Sequence, residues 1–195
     1  IEKERYKADW RHRWEVDKNT TAVLQYFRAK DREFLKDYFE REFDKDEDPD
    51  TFFLLTRAFP AGTLGFRTDA RVNRYESKVE RLPEVSFASA TREFLNSGVF
   101  FNNQNTYSNL VSKSASPSED RTKTMRLDTK NELSYPMKLS IFELRPRIGG
   151  QQTYYSRARS KGDYDSIRGQ LQTGADVSTK FFRIFDLAFN KWGIE

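Results

Sequence analysis

Strict alternation between apolar and polar residues constrains this chain more than any other feature of its sequence. From residue 167 to residue 181 every odd-numbered position is apolar or small, and nearly every even-numbered position is polar. Successive side chains of a β-strand point to opposite faces of the sheet, so a period of two predicts one long strand. The stretch is far longer than the roughly 5–6 residues of a typical strand in a globular protein.

The same alternation recurs along the chain and predicts an all-β fold. Because no helical period competes with it, we predict about nine to ten long antiparallel strands. The predicted strands are 6–16, 20–29, 51–59, 64–72, 83–91, 97–110, 124–135, 138–155 and 167–181, with 184–189 as a short tenth piece.

The connections between these strands are predicted to alternate in length, which points to a barrel. The short ones are 17–19, 60–62, 92–96 and 136–137. The long ones are 30–50, 74–82, 112–123 and 156–166. Since the chain reverses at each connection, the short turns share one end of the sheet, as in outer-membrane barrels. We therefore predict an antiparallel up-and-down transmembrane β-barrel segment, a single domain over 1–195.

The composition excludes several classes of protein. The chain has 34 Lys and Arg against 30 Asp and Glu, a net charge of +4 without any basic block, which argues against nucleic acid binding. It has no cysteine and one histidine, His12, which excludes thiolate metal sites and leaves a Ser–His–acid triad hard to assemble. The chain has no run of about 18 apolar residues, so no transmembrane helix is predicted. We predict no enzymatic activity, cofactor or metal.

One long connection, 31–49, carries a helical pattern. Over residues 32–43 the apolar side chains fall on one stripe of a helix, and they are Phe34, Leu35, Tyr38, Phe39 and Phe43. We predict that this short helix packs on the rim of the sheet, with binding to a partner or a membrane surface as the alternative. The acidic residues at 44–48 lack the spacing of an EF-hand, so we expect a solvated loop tip there.

The two faces of the predicted sheet differ sharply in chemistry. The polar face carries charges of both signs, which need water, so the barrel interpretation places it around a hydrated lumen and the other face against lipid. The predicted lumen-lining residues are Arg67, Asp69, Arg71, Arg126, Asp128, Lys130, Arg168, Gln170 and Lys180. The predicted lipid-facing residues are Leu64, Phe66, Val72, Leu127, Leu171, Val177 and Phe181.

Six short segments form an ordered series along the chain: 31–39 (DREFLKDYF), 81–87 (RLPEVSF), 126–136 (RLDTKNELSYP), 144–149 (LRPRIG), 153–156 (TYYS) and 174–185 (GADVSTKFFRIF). Together they resemble the LptD family of lipopolysaccharide-assembly (organic solvent tolerance) proteins. The resemblance implies a barrel of about two dozen strands in the outer membrane of a Gram-negative-type cell. In this family lipopolysaccharide enters from a periplasmic domain and leaves laterally into the outer leaflet.

The resemblance also implies partners and a place in the parent barrel. The implied partners are lipopolysaccharide, an LptE-like lipoprotein plug inside the lumen, and an LptA-like periplasmic bridge. The family's periplasmic jellyroll, its disulfide-forming cysteines and its lateral-gate strands have no counterpart in this chain. We therefore expect a middle segment of the barrel wall, to which no gate residue is carried over.

Two other functions fit the same alternation. A porin or substrate-uptake channel would share every pattern except the family-like segments, and a soluble lipid-binding β-protein would show the same faces inverted. An outer-membrane enzyme is a weaker rival. Its catalytic histidine would have to lie on the polar face, whereas His12 lies on the predicted apolar face. In the transporter, the lumen charges are expected to contact either the plug or the phosphorylated head of the glycolipid, for which arginine is well suited.

The face assignment predicts opposite results for arginine at neighbouring positions. Leu171→Arg or Val177→Arg places a charge in the hydrocarbon, at about 2–4 kcal/mol for a midplane position, and blocks membrane insertion. Gln170→Arg on the other face is tolerated. The measurement is the amount of folded protein in isolated outer membranes, and equal effects at both kinds of site contradict the assignment.

Overall fold

The computed structural model describes residues 4–46, 49–116, 121–158 and 164–181, which form one antiparallel sheet and two short helices. The strands are β1 (Lys7–Asp17), β2 (Thr20–Ala29), β3 (Phe52–Phe59), β4 (Gly62–Asp69), β5 (Lys78–Ser89), β6 (Arg92–Glu93), β7 (Phe100–Lys113), β8 (Thr122–Ser134), β9 (Met137–Leu139), β10 (Phe142–Ala158) and β11 (Tyr164–Thr179). The helices are α1 (Arg32–Tyr38) and α2 (Glu40–Lys45).

The sheet is a meander in which almost every strand pairs with its neighbour in sequence. The order is β1-β2-β3-β4-β5-β7-β8-β10-β11, with β6 attached to β7 and β9 attached to β10. Every pairing is antiparallel, so the prediction of an all-β, up-and-down antiparallel fold is confirmed. The sheet is open: β1 and β11 end the path and do not pair with each other within the described residues.

Strand positions follow the alternation, but several strand ends differ from the prediction. Strand β2 has the predicted bounds, whereas β4 ends at Asp69 and leaves Arg71 and Val72 in the following connection. The predicted strand 138–155 is split by a turn, in which Ser140 has a φ of 57°. The turn shifts the phase of the alternation, because Leu139 and Phe142 pair across it on one face although they are three residues apart. The predicted piece 184–189 lies outside the described residues.

Strand β5 begins at Lys78, well before the predicted start at residue 83, because a bulge lies inside it. The register against β7 shifts between Arg81 and Glu84: Arg81 pairs with Leu110, and Glu84 pairs with Ser108. Leu110 and Ser108 share one face of β7, so the bulge brings Arg81 and Glu84 to the same side although they are three residues apart. A strict period of two places such residues on opposite faces.

The contrast between short and long connections holds only in part. The β1–β2 and β3–β4 turns span 18–19 and 60–61, against 30–51 for the β2–β3 connection. The β5–β7 and β8–β10 connections share the end of the short turns, yet they span 90–99 and 135–141 and contain β6 and β9. Two of the predicted short turns are therefore elaborated by small hairpins.

The helical pattern in the β2–β3 connection forms two short helices in place of one. The Asp31 carboxylate caps α1 by accepting the backbone N–H of Phe34 at 2.8 Å, and Phe39 separates α1 from α2. Leu35 is fully buried against Phe27 and Ala29 of β2, so the helices pack on one end of the sheet. In the part of the chain that the structure describes, neither helix is long and apolar enough to cross a membrane.

The β3–β4 turn depends on a glycine. Gly62 has a φ of +152°, and a Cβ built there would lie 2.2 Å from the carbonyl oxygen of Ala88. Gly62→Ala is expected to lower the free energy of unfolding by about 1–3 kcal/mol or more, through backbone strain and this clash.

Gly169→Ala is the matched control, because a Cβ there meets nothing within 4 Å. Denaturant titration followed by tryptophan fluorescence measures both variants. A Gly62 variant as stable as the Gly169 variant contradicts the described turn.

Candidate functional site

One face of the sheet is predominantly polar, with apolar side chains such as Val23, Phe27 and Leu54 on it at β2 and β3. One cross-strand row passes through all nine long strands as Arg13, Val23, Leu54, Arg67, Glu84, Ser108, Arg126, Tyr155 and Ser166. The adjacent row on this face is Glu15, Thr21, Thr56, Gly65, Ser86, Thr106, Asp128, Thr153 and Arg168. We call the surface formed by these two rows and the same-face residues beside them the polar face.

A buried carboxylate anchors the polar face near the long-connection end of β4. Asp69 is only 1% exposed, and it accepts the Arg67 Nε–H at 2.6 Å and an Arg81 N–H. Arg81 also lies 3.4 Å from Glu84, whose carboxylate accepts the Ser108 hydroxyl at 2.7 Å. The chain of contacts joins β4, β5 and β7, so these charges stabilise the sheet as a connected network.

A second buried carboxylate lies where β5 meets the connection that precedes it. Glu80 is 2% exposed, accepts the backbone N–H of Arg71 at 2.7 Å, and lies 2.7 Å from the ammonium of Lys113. The Arg71 guanidinium donates to the backbone carbonyls of Glu76 and Ser114. These bonds tie the β4–β5 and β7–β8 connections together.

A third cluster lies in the middle of β8 and β10. The Asp128 carboxylate accepts hydrogen bonds from Arg126 at 2.7 Å, from Thr153 at 2.8 Å and from the Gln151 amide at 2.9 Å. The guanidinium of Arg126 lies 5.7 Å from the ring centroid of Tyr155, and that of Arg168 lies 5.4 Å from the same centroid. The cluster therefore holds two cations around one aromatic ring.

The opposite face is apolar along a row that also crosses the sheet without interruption. Its members are Trp14, Ala22, Leu55, Phe66, Val85, Tyr107, Leu127, Tyr154 and Ile167. Large side chains on this face are exposed, with Leu127 at 45% and Ile167 at 78%. In a soluble protein an exposed apolar surface of this extent marks an interaction site. We call it the apolar face.

One band of polar side chains interrupts the apolar face. The Thr129 hydroxyl donates to Asn105 at 2.8 Å, Asn105 donates to Asn103, and Asn103 donates to Asn131 at 2.7 Å. Each of these four side chains makes at least one hydrogen bond within the band. A groove of about 490 Å³ runs beside this band between Val85 and Ile167.

The structure gathers most of the predicted polar residues on the polar face. Arg67 and Asp69 are ion-paired. Arg126 and Arg168 lie near the ring of Tyr155, and Asp128 accepts a hydrogen bond from Thr153. Lys130 and Gln170 both lie opposite Gln151 in the register. Arg71 and Lys180 lie outside the strands, Arg71 in the β4–β5 connection and Lys180 just after β11.

The predicted apolar residues follow the same division. Leu64, Phe66, Leu127, Leu171 and Val177 lie on strands and are exposed. Val72 lies instead in the β4–β5 connection, where it lines a pocket with Tyr6, Arg28 and Tyr75. Phe181 follows the end of β11 and is highly exposed.

Sequence reasoning missed the residues that link the clusters. Arg81 and Glu84 reach Asp69 and Ser108 only because of the bulge in β5. The aromatic contact of Tyr155 with two arginines depends on cross-strand register, which no single-strand pattern contains. The sequence signal for this bulge is Pro83, which lies between the opposite charges of Arg81 and Glu84.

No family model matches the chain, and no curated protein matches it in sequence. Within the described residues, no group of three or more His, Asp or Glu side chains is placed to hold a metal ion.

The ion pairs of the polar face differ in burial, which predicts different contributions to stability. Asp69→Ala leaves Arg67 and Arg81 without their shared carboxylate and is expected to lower the free energy of unfolding by about 3 kcal/mol. Asp176→Ala removes an exposed carboxylate 3.6 Å from Arg147 and costs less than about 1 kcal/mol. Denaturant titration gives both values, and equal losses contradict a special role for Asp69.

Proposed function

We propose that this chain forms part of the wall of an outer-membrane β-barrel that assembles lipopolysaccharide into the outer leaflet. The observation that carries the proposal is the sorting of the faces: large apolar side chains are exposed on most of the long strands, while the opposite face carries charges of both signs and buries the Asp69 carboxylate between two arginines. Soluble proteins sort their faces the other way, because water favours the exposure of charge and the burial of apolar surface. A bilayer outside and water inside reverse that preference.

Strand length supports a membrane position. A tilted strand needs about 9–11 residues to cross the hydrocarbon core. Strands β7 and β8 have 14 and 13 residues, and β10 and β11 have 17 and 16. Each is long enough to span and to extend beyond the bilayer, which is unusual for strands of soluble sheets.

The open edges support a larger barrel of which this chain is one part. Strands β1 and β11 each have one unpaired edge within the described residues, and unpaired edges of this length are an aggregation hazard in a soluble protein. Further strands at both edges would satisfy these backbone groups, as a membrane requires.

The assignment to lipopolysaccharide rests on the family-like segments together with where they lie. Segment 81–87 contains the bulge that joins Arg81 to Asp69, and segment 126–136 contains Arg126 and Asp128. Segment 153–156 contributes Thr153 and Tyr155 to the same cluster. The segments that resemble the LptD family thus contribute residues to two charged clusters of the polar face, which in the barrel line a hydrated lumen.

The proposal extends to partners and location. The protein lies in the cell outer membrane, an LptE-like lipoprotein occupies the lumen, and an LptA-like bridge delivers the glycolipid through a periplasmic domain. Residues of the polar face contact the plug or the passing headgroup, and the apolar face contacts lipid.

Depletion of the protein in its own cell tests this function. The expected result is lipopolysaccharide that accumulates in the inner membrane and disappears from the cell surface, because no route into the outer leaflet remains. Surface lipopolysaccharide is measured by labelling of intact cells, and total lipopolysaccharide by labelling of lysed cells.

A porin gives a different outcome in the same strain. Depletion would then leave surface lipopolysaccharide unchanged and reduce the uptake of a small hydrophilic solute. That result contradicts the proposed function and favours the channel.

A further inference from the structure

Two buried polar atoms without hydrogen-bond partners lie on the polar face, on the two strands that flank Tyr155 of β10. Arg126, Tyr155 and Ser166 are consecutive members of one cross-strand row through β8, β10 and β11. Within the described residues, Arg126 Nε and Ser166 Oγ are buried and make no hydrogen bond, and Ser166 as a whole is only 8% exposed. Buried polar groups are nearly always paired, so two unpaired groups in one row indicate a missing ligand.

The same place carries an uncompensated positive charge. Arg168 lies on the polar face two residues beyond Ser166, and none of the ion pairs among the described residues includes it. Its guanidinium lies 5.4 Å from the ring centroid of Tyr155. The neighbouring carboxylate of Asp128 already accepts hydrogen bonds from Arg126, Thr153 and Gln151.

We propose that Arg126, Tyr155, Ser166 and Arg168 form a binding site for a phosphate group. Strands β8 and β11 are two strand spacings apart, about 10 Å, so long arginine side chains from both reach a ligand above Tyr155. Guanidinium groups bind phosphate oxygens through paired, charge-assisted hydrogen bonds, and the serine hydroxyl adds a donor. The identity of the carrier rests on the proposed function: the phosphate belongs to the sugar headgroup of the glycolipid.

Calorimetry on the full-length protein in detergent tests the site with two probes. They are inorganic phosphate and a glucosamine disaccharide bisphosphate, with the unphosphorylated disaccharide as the blank. The wild-type protein is expected to bind both phosphorylated probes and not the blank. Tighter binding of the disaccharide bisphosphate identifies the headgroup as the source, whereas equal binding identifies a free-phosphate site. A wild-type protein that binds neither overturns the proposal.

Matched charge removals locate the site. Arg168→Gln is expected to weaken binding by about tenfold, because it removes charge-assisted hydrogen bonds. Arg147→Gln also removes one positive charge from the polar face, but on β10 near Asp176 and away from the site. It is expected to change binding by less than about twofold. Equal weakening in both variants indicates a diffuse electrostatic effect and overturns the site.

Ser166→Ala separates a binding role from a structural one. Because its hydroxyl is buried and unpaired without ligand, the alanine variant is expected to be at least as stable as wild type and to bind phosphate about threefold more weakly. A variant that is less stable with unchanged affinity shows a structural serine and overturns its assignment to the site.

The outcome for the site is distinguishable from the outcome for the function. Phosphate binding that is lost in Arg168→Gln, together with normal surface lipopolysaccharide after depletion, supports the site and contradicts lipopolysaccharide assembly. Loss of surface lipopolysaccharide after depletion, together with no phosphate binding, supports lipopolysaccharide assembly and contradicts the site.

Discussion

The whole structure depends on a register that sorts polar and apolar side chains onto opposite faces through most of nine antiparallel strands. A slip of one residue at any pairing would move every charge of a strand to the apolar face, because the side-chain period is two. Cross-strand contacts oppose such a slip, since Asp69 meets Arg81 and Asp128 meets Thr153 only in this register. The few register shifts lie toward strand ends or in the bulge at Arg81–Glu84.

Alternation predicts the strands and their faces well, because it follows directly from the geometry of an extended chain. The placement of Arg126 and Asp128 together is a within-strand property and was predictable. The turn at Ser140 and the bulge at Arg81–Glu84 were not, because each shifts the phase of the alternation and so puts residues three apart on one face. The Arg126–Tyr155–Arg168 contacts were hidden for another reason: they depend on which residues of three strands lie opposite each other.

The apolar face accommodates a band of polar groups by pairing them with one another. Asn103, Asn105, Thr129 and Asn131 interrupt it, yet each takes part in a side-chain hydrogen bond within the band. Pairing lowers the cost of removing an amide from water, which is large when no partner is present. The band therefore is compatible with lipid contact, whereas isolated amides at the same positions would not be.

Spin-label accessibility along β8, in the full-length protein in lipid, tests the central claim most directly. Labels at Met125, Leu127 and Leu133 lie on the apolar face, and labels at Lys130 and Glu132 lie on the polar face. With oxygen and a water-soluble nickel complex as the two quenchers, the account predicts that oxygen reaches the first set and nickel the second. Labels that nickel reaches equally on both faces would contradict a membrane-spanning strand, and with it the barrel.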